Sequence, residues 1–183
     1  MKDIEYTFRK IGGFGRFQVC STLLISLSMM SVDFWTFAIG FFLQVPDYVC
    51  TYAAGMTQSC VPEEICDDDS TIIDWQVDWT SDRSFNNWRV KFDLTCAPEW
   101  KVAFPGMFFF VGWMLTALWL PPLSDIFGRK KFFAAAMILG LVFHFVMLFT
   151  HSWTVIIIMS FCIGLISSIR MQVGFNYMIE FIP

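Results

Sequence analysis

An all-α integral membrane fold with four transmembrane helices is predicted by three observations: composition, four apolar runs of spanning length, and the segregation of charge along the chain. Of the 183 residues 56% are hydrophobic and only 15% charged, and the mean hydropathy is +0.59. A soluble domain carries about a quarter charged residues. A hydrocarbon core about 30 Å thick takes about 20 apolar residues in helical form, and four segments reach that length. Eleven of the 16 acids crowd into the single stretch 44–100, while the cations gather before the first run and between the second and third.

Taken in order, residues 1–16 ("MKDIEYTFRKIGGFGR") are polar and carry Lys2, Arg9, Lys10 and Arg16. The apolar run behind them is too long for the h-region of a signal peptide, so no cleavable leader is expected. The first span is 17–43, interrupted only by Asp33. The second, 101–120, contains "VAFPGMFFFVGWMLTALWL" with Pro105 in its first turn, where a missing N–H costs little. A short basic hairpin, 121–131, leads to the third span, 132–150. The fourth, 154–182, holds Arg170 inside and Glu180 near its end. The positive-inside rule puts residues 1–16 and the cations Arg129, Lys130 and Lys131 on the cytoplasmic or matrix-equivalent side. Residues 44–100 then form an external loop between helices 1 and 2.

That acidic loop holds Cys50, Cys60, Cys66 and Cys96, an even number at spacings of ten, six and thirty residues. An even, externally confined set predicts two disulfides in an oxidising compartment. Zinc ligation favours close C-x-x-C pairs, so no metal is expected. Three pairings remain open. "EEICDDDS" lacks the EF-hand spacing and reads as a solvated surface. Cys20 and Cys162 fall inside spans and read as packing residues.

An ionisable side chain within a span costs about 2.5–3.5 kcal/mol on insertion scales and faces a partner or a wet cavity. Asp33 and Arg170 both fall near the middle of their spans, so a direct or water-bridged pair is expected. Helical spacing places Met29, Asp33, Thr36 and Gly40 on one stripe of the first span. Ser167, Arg170, Gly174 and Tyr177 share a stripe of the fourth, with Met171 alongside. Asp33, Thr36, Ser167, Arg170, Met171 and Tyr177 are therefore candidates either for a cavity lining or for a structural contact between the two helices, and His144 is expected to be packed and hydrogen-bonded.

The hairpin "PPLSDIFGRKKFF" carries a more specific signal. Leu123, Ser124, Asp125, Gly128, Arg129 and Lys130 resemble the G-x-L-[SA]-D-x-x-G-R-[RK] signature between helices 2 and 3 of the major facilitator superfamily. Its leading glycine is replaced by Pro121 or Pro122. "GGFGRFQ", "VPDYVC", "FDLTCAPEW" and "GLISSIRMQVGFNYMIEF" resemble the organic cation/anion transporter branch, solute carrier family 22, in order and spacing. The resemblance implies the N-terminal half of a major facilitator, an alternating-access carrier of small organic ions. Helices 1 and 4 would line its cavity, and Asp125 and Arg129 would latch its two halves. Two departures leave cation against anion preference open: Ser168 stands at the cationic position of span four, with Arg170 nearby, and Pro98 precedes Glu99 where the branch carries an acid.

Such a carrier has twelve helices, and four are found here. The chain is therefore expected to be either the N-terminal part of a carrier or a truncated, facilitator-like, non-transporting accessory subunit of a larger membrane complex. Its expected partners are the lipid bilayer, a small organic ion, and remaining helices of a longer chain or other membrane subunits, with no nucleic acid. No nucleophile with a His or carboxylate relay and no phosphate-cradling loop is found, so neither enzymatic activity nor a cofactor is expected. The plasma membrane is the expected location, an organelle membrane such as the mitochondrial inner membrane the alternative.

Overall fold

A computed structural model describes residues 15–53, 55–67 and 71–181. The expectations for residues 1–14, Asp68, Asp69 and Ile182 lie outside them. In chain order the elements are α1 (Arg16–Phe42), β1 (Tyr48–Tyr52), β2 (Thr57–Cys60), α2 (Pro62–Ile65), β3 (Ile72–Val77), α3 (Trp88–Lys91), α4 (Glu99–Val102), α5 (Phe104–Phe127), α6 (Arg129–Phe149) and α7 (Trp153–Phe181). They divide into two compact units, one of Met1–Thr36, Pro105–Thr150 and Thr154–Pro183, the other of Phe37–Phe104 with His151–Trp153.

The first unit is helical. Among the described residues three helices are long and apolar enough to cross a membrane, over Gln18–Phe42, Arg129–Phe149 and Trp153–Ile179; the apolar part of α5, Phe104–Leu120, is shorter. The unit is arranged for an apolar surrounding. α6 exposes Ile138, Leu141, Phe145, Leu148 and Phe149, whereas Ser28, Thr116, Ser160, Ser167, Ser168 and Arg170 are buried. In lipid, helices are held by small residues and polar contacts rather than by apolar burial. α5 and α7 meet backbone to backbone on that principle. A Cβ built on Gly164 would collide with the carbonyl oxygen of Phe109, and one on Gly112 with that of Phe161. Beside this crossing the Thr116 hydroxyl donates to Gly112 O at 3.0 Å.

The expected hairpin, 121–131, is narrower than the sequence suggested. The chain stays helical to Phe127, turns at Gly128 with φ of +95°, and resumes at Arg129. A proline inside a soluble helix costs about 3 kcal/mol, but transmembrane helices absorb it because neighbouring groups satisfy the freed carbonyl. Pro121 and Pro122 therefore do not end α5. The reversal falls instead on the one residue without a Cβ to strain at positive φ.

The second unit contains a three-stranded antiparallel sheet in the order β2-β1-β3, with Tyr48 opposite Cys60 on one side and Val77 on the other. Tyr48, Cys50 and Cys60 form its core, with Tyr52, Ile65, Ile72, Trp75 and Val77 packed around them. The Tyr48 hydroxyl meets Thr95 Oγ1 at 3.2 Å. Disulfides join Cys50 to Cys60 and Cys66 to Cys96, which resolves the three possible pairings. Buried Arg89 is ion-paired to Glu99.

Asn87 ties the start of α3 to the chain at the end of α1. Its Oδ1 accepts from Val90 N at 3.3 Å at the start of α3, while Nδ2 donates to Gln44 O at 2.7 Å and Phe41 O at 3.4 Å. Phe41 O, in the last turn of α1, also accepts from Gln44 N at 3.4 Å, so the amide reinforces the end of that helix. Removing a capping side chain costs about 0.5–2 kcal/mol. Asn87→Ala is expected at the upper end, because cap and carbonyl clasp are lost together; hydrogen exchange should quicken at Phe42–Gln44 and Val90, and unchanged exchange would refute the assignment.

Candidate functional site

Two features of the helical unit carry chemistry. At one end, Asp125, Gly128, Arg129, Lys130, Lys131 and Tyr177 surround an open basin of about 550 Å³. Arg129 Nε donates to Asp125 Oδ1 at 2.8 Å across the turn. Ser124 is buried while Leu123 and Lys130 are exposed. The aspartate does not sit at a helix start. It occupies the last turn of α5, where unpaired carbonyls already make the surroundings negative, and the three cations occupy the first turn of α6, among unpaired N–H groups. Both sets of charge oppose the dipole of their own helix. The contact between them offsets part of this cost, and the dipoles do not explain their placement.

The second feature is a groove of about 540 Å³ between α1 and α6 with Arg170 of α7 behind it. Arg170 is 7% exposed. Its Nε donates to Ser28 Oγ at 3.2 Å, and Nη2 donates to the Ser28 carbonyl and to Ser31 Oγ. The Ser28 hydroxyl also lies 2.9 Å from Met137 Sδ. Trp35 and His144 meet edge to face at 5.1 Å, and His144 Nδ1 lies 2.7 Å from Gly140 O, so this histidine is packed and hydrogen-bonded as expected.

The expected Asp33–Arg170 pair is not formed. Ser28, Ser31 and Trp35 recur at helical spacing on the face of α1 toward the groove; Asp33 lies on a different face, exposed. Thr36 donates to Val32 O at 3.1 Å, and Met29 approaches Gly174 on α7. Ser167 is buried and Met171 half-buried. Tyr177 joins the hairpin basin rather than the groove. Of the candidate cavity residues, then, Arg170 alone lines the groove. The residues that hold it, Ser28 and Ser31, were visible in "SLSMMS" as hydroxyls at i and i+3 in an apolar span.

Residues 71–181 match the family described as sugar (and other) transporter. The chain belongs to that family. The match covers the hairpin, Arg170 and Tyr177 and leaves α1 outside it. The chain is also similar to solute carrier family 22 member 4 of Mus musculus, 29% identical over 119 residues. The aligned part is 65% of this chain and 20% of that relative, so the chain spans well under two thirds of its length. No solved structure matches. As a transporter-family chain with membrane-spanning helices and two disulfides, it is a multi-pass membrane protein of the major facilitator type, similar to solute carrier family 22.

Proposed function

We propose that the chain forms the N-terminal part of an alternating-access carrier of small organic ions. In this reading α1, α5, α6 and α7 all cross the bilayer, with Arg129 on the inner side and the disulfide-bonded unit on the outer. Asp125 and Arg129 act as the latch, and Asp33 and Thr36 face the translocation path. The observation that carries the proposal is the Asp125–Arg129 pair at the Gly128 turn, whose charges oppose both helix dipoles. An arrangement unfavourable to its own helices is expected where a second state needs those charges.

Asp125→Asn and Arg129→Gln are expected to change thermal stability little, since an exposed i,i+4 pair contributes about 0.3–0.5 kcal/mol, but to reduce uptake of tetraethylammonium or 2-naphthoate at least tenfold. The exchanged variant Asp125→Arg/Arg129→Asp restores a pair and suits both dipoles, so it should be as stable as the parent yet remain inactive. Recovery of uptake in that variant would reduce the pair to a local brace.

The accessory-subunit reading draws on Asp33. An exposed carboxylate within an apolar helix is costly against lipid, so it calls for a wet path or a neighbouring protein. Mild-detergent purification from the native membrane separates the two readings. A stoichiometric place in a larger complex, with no uptake of either probe, would favour the subunit.

A further inference from the structure

Arg170 is a buried cation satisfied only by neutral acceptors. Its nitrogens meet two serine hydroxyls and a carbonyl, and among the described residues no carboxylate pairs with it. A buried charge without a counter-ion is strongly unfavourable, and a fixed anion nearby relieves much of that cost. The guanidinium is not sealed off: it lines the groove. Gly140 faces its Nη1 without a side chain, where a Cβ would already be in van der Waals contact at 3.7 Å. Around this single cation the walls are apolar, with Leu24, Leu27, Phe34 and Leu141 exposed along the opening and Trp35 at the back. A volume of about 540 Å³ falls within the range of small-molecule sites.

We infer that this groove binds an organic anion, with a carboxylate or similar oxyanion on Arg170 and an aromatic or aliphatic body along α1 and α6. The inference extends the carrier reading by assigning its groove an anionic ligand; it stands on binding alone. A solute and an acidic membrane lipid share this chemistry. A charge-assisted hydrogen bond from the guanidinium's remaining Nη1 accounts for the headgroup, and desolvation of the body against the leucines and Phe34 accounts for the apolar requirement.

The test uses the full chain in phosphatidylcholine nanodiscs and two probes with one body and opposite charge, 2-naphthoate and 2-naphthylmethylammonium. Naphthoate should bind at least tenfold more tightly. Arg170→Gln should erase that preference and Arg170→Lys should keep part of it. Because Arg170→Gln could lose the fold, Ser31→Asp is the second variant. It places a carboxylate beside the guanidinium, and should keep the helices assembled while abolishing naphthoate binding. Adding phosphatidylglycerol identifies the source of the anion: competition with naphthoate makes an acidic lipid the native occupant, and no competition makes it a solute, either result upholding the oxyanion site. Equal affinity for the two probes, or full naphthoate binding by Ser31→Asp, overturns the inference. Selective binding without uptake would leave it standing while removing the carrier reading, and cation uptake without naphthoate binding would do the reverse.

Discussion

Gly164→Val is expected to prevent stable assembly of the helical unit. The Cβ alone would collide with the Phe109 carbonyl oxygen and stand 2.9 Å from its carbonyl carbon. Both are backbone atoms of a neighbouring helix, so no rotamer change can relieve the overlap. Overpacking in a well-filled core costs about 1–3 kcal/mol and occasionally more, and the rigidity of both partners puts this site at the upper end. The crossing is also doubled, because Gly112 approaches Phe161 from the other side in the same way and lies 3.1 Å, in Cβ terms, from Leu165 N. Parting α5 from α7 at Gly164 therefore opens the contact at Gly112 as well. Gly40→Ala, where a Cβ meets nothing within 4 Å, is the control and should be silent. The measurement is the melting temperature in detergent, together with the yield of an engineered cross-link between α5 and α7. A valine variant that melts with the parent would show that the helices do not need this close approach.

Three apolar helices of spanning length were legible because hydropathy over about twenty residues depends little on neighbours. What the sequence did not settle was phase. Asp33 and Arg170 attract attention as the two charges in their spans, and pairing them is the economical guess. A helix nevertheless offers every face, and only packing shows that Ser28 and Ser31 turn toward α7. The hairpin misled in a similar way: the apolar run ends at Leu120 and the turn was expected over 121–131, whereas α5 runs on to Phe127. In the second unit, charge and cysteine dominated the reading and hid the strands. "YVCTY" and "IIDWQV" are β-branched and aromatic enough to suggest pairing, yet each is short beside the acidic runs around it. The disulfides were legible as two bonds from number and confinement. Their pairing followed only from the sheet, which sets Tyr48 opposite Cys60 and brings β1 and β2 together.

Loss of the disulfides is the second large expected effect, and the two bonds should behave differently. In the chain-entropy description a cross-link stabilises more as the loop it closes lengthens, by roughly 2.5–3 kcal/mol for ten residues and about 3.5 kcal/mol for thirty. Replacing both members with alanine should therefore cost more at Cys66–Cys96, which closes a thirty-residue separation, than at Cys50–Cys60, which closes ten. Serine should reverse the order. Cys50 and Cys60 lie in the core beside Tyr48, whereas Cys66 and Cys96 are exposed. Two buried hydroxyls without assured partners add about 1–3 kcal/mol each, and two exposed ones add almost nothing. Exposure also sets the order of reduction, so a polar reductant should open Cys66–Cys96 first. Limited proteolysis and hydrogen exchange across 44–100 would measure both effects. If the alanine and serine pairs ranked identically, burial of Cys50 and Cys60 would not be contributing, and the sheet would have to be held by its hydrogen bonds alone.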